Sequence, residues 1–423
     1  MEEKLWNSNY IKVWTGNFLM YFAFMLLTPL LPLYLSDTYA ADKQMIGIVL
    51  SGYALAALLI RPFSGFFVDS FPRKMMLLIF YLLTAAFFGG YLLAGSLTMF
   101  AAFRMLHGAP FGATGVSLST VAMDVLPSSR RAEGVGYFGL SNNIATAISP
   151  GVAMFLFARY QSYEMLFWLA FAVSVLGVIV VSTIRVKDRP LVLDKQPLSL
   201  DRFIMLKGLV PMLTVFTVGF AYSVVTTYVA IYGRDELGIT TGTGFFFTLF
   251  AIGLIVSRLT GSRSLRKGLI LRNASLGILV SISGFILFAA VHHPACYYIA
   301  PFIIGLGNGH LWPAFQMIFI NMAPHSQRGT ANSTILTGWD LGMGVGMLAG
   351  GAIAEHFGYH AAFWAGIAVY ALGVIFYFTV VRPYYQHNKL HDCTDCMSVF
   401  ACESVPVNLF NIKCEHKMST WKC

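Results

Sequence analysis

Among the titratable side chains inside otherwise apolar stretches of this sequence, where a charge is expensive to hold, three are candidates for chemistry. Asp340 is the deepest, because it lies in the middle of the apolar segment 331–354 with glycines at helical spacing around it. A carboxylate at that depth is normally protonated, paired with a base or in contact with water. We therefore expect proton or ligand binding at a cavity wall. The alternative is a buried aspartate that bonds to neighbouring backbone and only packs.

Arg104 and His310 are the other two. An arginine inside an apolar segment should face a packed interior or a wet cavity. It could instead extend to the nearer surface, since it lies only about six residues into its segment. His310 could titrate near neutral pH, although a single histidine in such a helix more often serves packing and hydrogen bonding.

Uncharged polar and aromatic side chains accompany these groups and are candidates to line a cavity. They are Asn17, Tyr21, Asn142, Asn143, Tyr222, Thr226, Asn308, Trp312 and Gln316. Asn143 lies 197 residues before Asp340, an offset that relates equivalent positions in the two halves of the chain. One of these equivalent positions therefore carries the acid and the other its uncharged isostere. This asymmetry fits a titratable site on one wall of a central cavity.

The same offset of 197 residues relates the two halves of the chain. It aligns Arg61 with Arg258, Gly108 with Gly305, Gly112 with Gly309, Pro127 with Pro324 and Arg131 with Arg328. A repeat of this length in an apolar chain indicates two homologous membrane halves, not a solenoid of short units.

The composition also indicates a membrane protein. Hydrophobic residues make up 57% of the 423 residues and charged residues only 11%, against roughly 25% charged in soluble domains. The apolar residues come in blocks long enough to cross the hydrocarbon of a bilayer. The first block is too long, and lacks a cleavage site, for a signal peptide.

Twelve such blocks are predicted as transmembrane helices, because only helices or closed barrels satisfy their backbone in lipid and a barrel would show short alternating strands. They cover 11–35, 44–66, 75–95, 98–121, 134–157, 164–184, 206–231, 242–262, 270–291, 295–321, 331–354 and 360–381. The expected fold is an all-α polytopic membrane protein with two pseudo-symmetric six-helix bundles, 1–184 and 206–381. A polar cytoplasmic linker, 185–205, would join them.

The lysine and arginine distribution predicts that both termini are cytoplasmic. With that orientation, 22 of the 28 lysines and arginines fall in cytoplasmic segments and three, Lys43, Arg159 and Arg234, in extracellular segments. The other three, Arg61, Arg104 and Arg258, lie within or at the edge of spans. The net charge of +9 therefore orients the protein against anionic lipid and requires no nucleic-acid partner.

The loop after the second span resembles the signature loop of the major facilitator superfamily, G-x-x-x-D-R-x-G-R-[RK]. Gly65, Asp69, Arg73 and Lys74 match, while a serine and a proline replace an expected arginine and glycine. The resemblance extends over residues 1–385 and implies a transporter whose loop cluster latches one conformation. The alternative for the basic residues is anchoring at the inner lipid surface.

Two further segments resemble motifs of this superfamily. Arg104 begins a pattern R-x-x-x-G-x-x-x-G, which implies a role in proton coupling. Ser149, Pro150 and Gly151 are similar to the G-P-x-x-G element of bacterial drug/proton antiporters with twelve spans, although Ser149 and Ala153 replace glycines. The alternative is an ordinary kinked span.

The tail after residue 381 contains Cys393, Cys396, Cys402, Cys414 and Cys423. A cytosolic tail would keep these thiols reduced, so a disulfide scaffold is not expected. His391, Cys393 and Cys396 could bind Zn²⁺ or Cu⁺, but without a second CxxC motif a flexible tail without metal is the favoured interpretation.

The favoured hypothesis is proton-coupled export of a small organic molecule across the cell membrane of a prokaryote by a monomer without cofactors. Proton- or sodium-coupled uptake of a nutrient is the first alternative. A receptor or assembly factor that has lost transport is the second. The spans contain no nucleophile–base pair, phosphate loop or metal cluster that would indicate an enzyme.

Overall fold

A computed structural model describes residues 5–127, 131–186, 204–239, 243–323 and 328–390. Within these ranges, the side chains at 62, 65–66, 69–70, 131–133, 135–136, 258–259, 262–263, 265–266, 328–329 and 332 are not described. Residues 391–423 of the predicted tail, which include His391 and the five cysteines after it, and most of the predicted linker lie outside the described residues.

The described residues form thirteen α-helices. They are α1 Ser8–Leu27, α2 Leu31–Tyr39, α3 Lys43–Ser70, α4 Arg73–Gly90, α5 Leu97–Val125, α6 Arg131–Tyr160, α7 Tyr163–Ser182, α8 Leu209–Leu237, α9 Thr243–Arg266, α10 Ile270–Ala290, α11 Pro294–Met322, α12 Arg328–Phe376 and α13 Arg382–Asn388. Short 3₁₀ turns follow α4 and precede α8, and a π-helical turn, Tyr377–Val381, follows α12.

These helices give twelve passes, as the sequence predicts. Helices α1 and α2 form one pass, interrupted where Pro29 lacks an amide hydrogen. The long α12 contains two passes, because Gly358 adopts φ +85° and breaks the helix there. By length and composition, eight segments of the described chain are long and apolar enough to cross a membrane; with the two passes of α12 they account for nine, and α5, α9 and α11 are the other three.

Polar side chains begin several of the helices. Asn7, Asp42, Ser96 and Ser162 each accept a hydrogen bond from a backbone amide three residues later. Such caps satisfy amides that would otherwise lack a partner at the membrane boundary. The caps therefore set where α1, α3, α5 and α7 begin.

The alternating helices define two ends of the molecule. The linker end carries the start of α1 and the end of α7, which are joined by a hydrogen bond from Asn9 to the carbonyl of Arg185. The distal end carries the ends of α2, α6 and α8. At the linker end the predicted tail is ordered at its beginning: α13 packs on α11, where Asn321 donates to the hydroxyl of Tyr385 over 3.0 Å.

Two glycine contacts pack the halves together and repeat the 197-residue offset. A Cβ atom on Gly47 of α3 would lie 2.5 Å from the carbonyl oxygen of Met347 in α12. A Cβ on Gly244 of α9 would lie 3.0 Å from the carbonyl oxygen of Pro150 in α6. Each position in the second half is 197 residues after its counterpart, so α3 with α12 and α6 with α9 form equivalent interfaces.

Candidate functional site

Asp340 pairs with an arginine from the other half of the molecule. Its carboxylate accepts a hydrogen bond from Nε of Arg61, so the ion pair joins α12 to α3. The side chains are only 13% and 14% exposed. The structure therefore contains the carboxylate of Asp340 paired with a base across the interface between the halves.

Sequence reasoning did not assign Arg61 to the site, although two signals pointed to it. The residue lies inside a span, where an arginine needs a partner. It also aligns with Arg258 through the repeat, and Asp340 aligns with Asn143. The equivalent contact in the other interface would therefore join Arg258 to an uncharged amide; the side chain of Arg258 lies outside the described part.

Tyr21 of α1 lies within electrostatic range of this ion pair, with no hydrogen bond to either partner among the described contacts. Its ring lies edge-on to Phe111, with 5.6 Å between the ring centres. The predicted cavity residue Tyr21 is therefore brought together with Asp340, although the two are far apart in sequence.

Asn17 is placed differently from Tyr21. It is 1% exposed and donates to the hydroxyl of Ser141 over 2.6 Å and to the amide oxygen of Asn142. These bonds tie α1 to α6 within the first half. Asn17 thus packs between two helices, while Asn142 and Asn143 are half-buried.

An aromatic cluster lies beside Asp340 on the second half. Trp339 packs against Tyr222 and Trp312, with 5.3 Å between ring centres in each pair. Phe250 lies 5.4 Å from Tyr222. All except Phe250 are half-buried, which leaves aromatic surface available to a ligand. Sequence reasoning selected Tyr222 and Trp312 but missed Trp339, the residue next to the acid.

The remaining predicted cavity residues of the second half do not share one position. Thr226 is buried and donates to the carbonyl of Tyr222 in its own helix. Asn308 is buried and accepts from Ser281 over 2.9 Å. Gln316 is half-buried on α11. His310 is 6% exposed and lies 3.2 Å from the hydroxyl of Thr260, between α11 and α9.

Arg104 lies in a buried aromatic box, not at a membrane surface. Its side chain is 5% exposed, and its guanidinium carbon lies 4.1 Å from the ring centre of Tyr53. It donates to the hydroxyl of Tyr91 over 3.2 Å, and that hydroxyl lies 2.7 Å from Nδ1 of His107. The structure thus favours a buried cation held by aromatic faces over one that extends to the lipid headgroups.

The four residues of the predicted latch are only partly described. The surroundings of Gly65 and the side chain of Asp69 lie outside the described part. Arg73 pairs with Asp124 of α5, a carboxylate that the sequence reasoning did not select. Lys74 is half-buried and lines a polar recess at the linker end.

The predicted antiporter-like element lies at an interface between the halves. Ser149 donates to the carbonyl of Ala145 within α6, over 2.8 Å. Beside it, a Cβ atom on Gly244 of α9 would lie 2.6 Å from Cα of Gly151. The hydroxyl of Thr248 donates to the carbonyl of Ala147 over 3.1 Å. This segment therefore carries close packing between α6 and α9.

Comparison with known sequences settles the family. The chain matches the profile of the Major Facilitator Superfamily over residues 13–333 and 274–392. The chain belongs to this superfamily. It is thus a multi-pass secondary transporter of small molecules, in a family of transporters and not of enzymes.

Two superfamily members from bacteria are similar over most of their length. The multi-drug resistance efflux pump PmrA of Streptococcus pneumoniae is 24% identical over 392 residues, covering 89% of this chain and 96% of the pump. The quinolone resistance protein NorA of Staphylococcus aureus is 23% identical over 374 residues, covering 85% and 92%.

Solved structures of superfamily members share the fold at low sequence identity. The nucleoside transporter NupG has a TM-score of 0.71 at 14% identity, with 88% of this chain and 99% of that chain covered. A peptide transporter of the POT type has a TM-score of 0.74 at 15% identity, with 90% and 95% covered. The human organic anion transporter MFSD10 has a TM-score of 0.68 at 17% identity, with 87% and 98% covered.

Proposed function

We propose that this transporter exports small aromatic compounds in exchange for protons, with Asp340 as the shared binding group. The observation that carries the proposal is the ion pair between Asp340 and Arg61, because it joins the two halves by a group that can bind a proton. A transporter needs an element of this kind, whose charge state changes how its halves hold together.

The physical argument rests on the burial of the pair. A proton on Asp340 would remove its negative charge and leave the guanidinium of Arg61 buried without a counter-charge. Breaking a buried pair in this way costs roughly 3–5 kcal/mol when the surroundings stay unchanged. The protonated protein would therefore favour an arrangement in which α3 and α12 separate and water reaches Arg61.

A bound cation would have the same effect as a proton. A positively charged substrate that pairs with Asp340 would compete with Arg61 for the carboxylate. Either occupant would release the halves, whereas the unoccupied carboxylate would keep them paired. One carboxylate cannot hold a proton and a substrate at once, and the halves separate only when one of them is bound. The protein therefore exchanges substrate for protons.

The half-buried aromatic cluster of Tyr222, Trp312 and Trp339 supports an aromatic cation as substrate. Aromatic faces bind planar apolar ligands and attract positive charge. Trp339 precedes Asp340 in α12, and neighbouring side chains on a helix point about 100° apart. A substrate would therefore bind its aromatic part on the rings and extend its cationic part to the carboxylate. The names of PmrA and NorA, a multidrug efflux pump and a quinolone resistance protein, support export.

We also propose that the protein lies in the plasma membrane with its linker end in the cytoplasm. The excess of lysine and arginine at that end supports this orientation, and the bacterial relatives support the location. With this orientation the distal end, where the glycine contacts join the halves, faces outward.

The test uses everted membrane vesicles and ethidium, a planar aromatic cation, driven by an imposed pH gradient. We expect accumulation by the unchanged protein and at least a tenfold lower rate for Asp340→Asn. Glu164→Gln is the matched control, because it removes an exposed carboxylate on α7. Apparent melting temperatures in detergent would verify that both variants fold.

Each outcome separates the alternatives. Full gradient-driven transport by Asp340→Asn would overturn the assignment of Asp340. Accumulation in right-side-out vesicles instead of everted ones would indicate uptake, and dependence on a sodium gradient would change the coupling ion. Absence of flux with ethidium and with a panel of cationic, anionic and neutral solutes would favour the receptor hypothesis.

A further inference from the structure

Three potential metal ligands from separate parts of the chain meet at the distal end of the second half. Glu236 lies in the last turn of α8, His292 in the connection between α10 and α11, and His360 just after the break at Gly358. Their ligand atoms all lie within 4.8 Å of one another. We propose that these residues form a surface site for a divalent transition metal, best suited to Zn²⁺.

The distances between the three ligand atoms fit a metal ion. Nδ1 of His292 lies 2.8 Å from Nε2 of His360, and Oε2 of Glu236 lies 3.9 Å and 3.6 Å from these nitrogens. In the plane of the three atoms, a point equidistant from them lies about 2.0 Å from each, which is the length of zinc bonds to nitrogen and oxygen. Ligand atoms of a tetrahedral zinc ion are about 3.3 Å apart, so binding would separate the two nitrogens by about 0.5 Å.

The hydrogen bonds around the site orient the histidines for this role. Nδ1 of His360 lies 3.2 Å from the carbonyl oxygen of Ala289, which can only accept, so this nitrogen carries the hydrogen. Nε2 of His360 therefore presents a lone pair towards His292 and Glu236. A backbone carbonyl behind a histidine is the usual support of a metal ligand.

A cation would replace the hydrogen bond between the two imidazoles. At 2.8 Å, two nitrogen lone pairs repel each other, so without a metal His292 must donate a hydrogen to His360 through Nδ1. If the hydrogen on His292 moves from Nδ1 to Nε2, Nδ1 of His292 and Nε2 of His360 both present lone pairs to the ion. The net charge of the two imidazoles does not change. The hydroxyl of Tyr232 lies 3.2 Å from the same Nδ1, so its hydrogen bond to His292 would also be replaced by the metal.

Exposure and local charge make the site accessible to a cation. The side chains of His292, His360 and Glu236 are 48%, 38% and 30% exposed, so water could complete the coordination. Asp235 is next to Glu236 and accepts from the hydroxyl of Tyr359 over 3.2 Å. Two histidines and one carboxylate with open positions is a donor set typical of zinc.

The test measures zinc bound to the purified full chain by equilibrium dialysis and metal analysis. We expect the unchanged protein to bind one more Zn²⁺ per chain than either His360→Ala or Glu236→Gln. His356→Ala is the control, because it removes an exposed histidine from the same end that does not belong to the cluster. The difference between variants cancels any zinc held by the tail cysteines.

Cobalt provides a second readout that distinguishes the sources of binding. The proposed site would give a visible Co²⁺ spectrum without sulfur-to-cobalt absorption, and His360→Ala would remove it. Equal zinc stoichiometry in all four proteins, with unchanged melting temperatures in the absence of metal, would overturn the proposal. So would a cobalt spectrum that contains only thiolate bands and is unchanged by His360→Ala.

Discussion

Asp37 and Arg234 occupy equivalent positions in the two halves, 197 residues apart, yet they carry opposite charges and pair with each other. Oδ1 of Asp37 lies 2.7 Å from Nη1 of Arg234. Equivalent positions in parallel repeats can meet only near the axis that relates the halves. The pair therefore marks that axis at the distal end, where Tyr163 also donates to Asp37 over 2.6 Å.

Charge reversal tests whether this pair contributes to transport. Asp37→Arg places two cations at the axis and should favour separation of the distal end, so we expect a several-fold fall in ethidium transport. The effect on stability should stay below about 1 kcal/mol, because both side chains are substantially exposed. The double variant Asp37→Arg/Arg234→Asp should recover most of the rate. Transport by the double variant no better than by the single one would contradict this prediction.

The contact between Gly244 and Gly151 should not tolerate a side chain. A methyl group on Gly244 would meet backbone atoms of α6 at 2.6 Å, so Gly244→Ala must push α9 and α6 apart. We expect a lower apparent melting temperature and slower transport, with a cost of roughly 1–3 kcal/mol. Gly139→Ala in α6 is the control, since a Cβ there meets nothing within 4 Å. It should be neutral or slightly stabilising.

The aromatic box around Arg104 predicts different results for two changes at Tyr53. The phenol oxygen of Tyr53 is buried without a hydrogen-bond partner among the described residues, so Tyr53→Phe should be neutral or stabilising. Tyr53→Leu removes the face against which Arg104 packs and should cost about 2 kcal/mol or more. Thermal unfolding in detergent would compare the two, and equal melting temperatures would show that the ring does not hold the cation.

The pair of Arg73 and Asp124 should anchor the linker end of the first half. Asp124→Asn removes the negative partner of a side chain that is only 21% exposed, and we expect a loss of about 1–3 kcal/mol. Lys74→Ala, at the next position, should change stability by less than about 0.5 kcal/mol. Urea or thermal unfolding of both variants provides the comparison, and a larger effect of Lys74→Ala would contradict the pairing.

The sequence by itself determined the fold class, the passes and the repeat. Lipid offers no hydrogen bonds, so every long apolar segment had to become a helix, and its length follows from the thickness of the bilayer. The offset of 197 residues identified the two halves, and the contacts of Gly47 with Met347 and of Gly244 with Pro150 are equivalent under the same offset. Capping residues set several helix starts within a few residues.

Only the tertiary structure decided which of the polar groups meet. Asp340 was selected from its depth in a span, but its partner Arg61 lies 279 residues away and in the other half. Glu236, His292 and His360 likewise come from the end of α8, the connection between α10 and α11, and the second pass of α12, which no local pattern links. Helices that are apolar on nearly every face do not reveal in sequence which face meets which neighbour. The rotation and depth at which they pack decide that, and close contacts between small residues of both halves fix that packing.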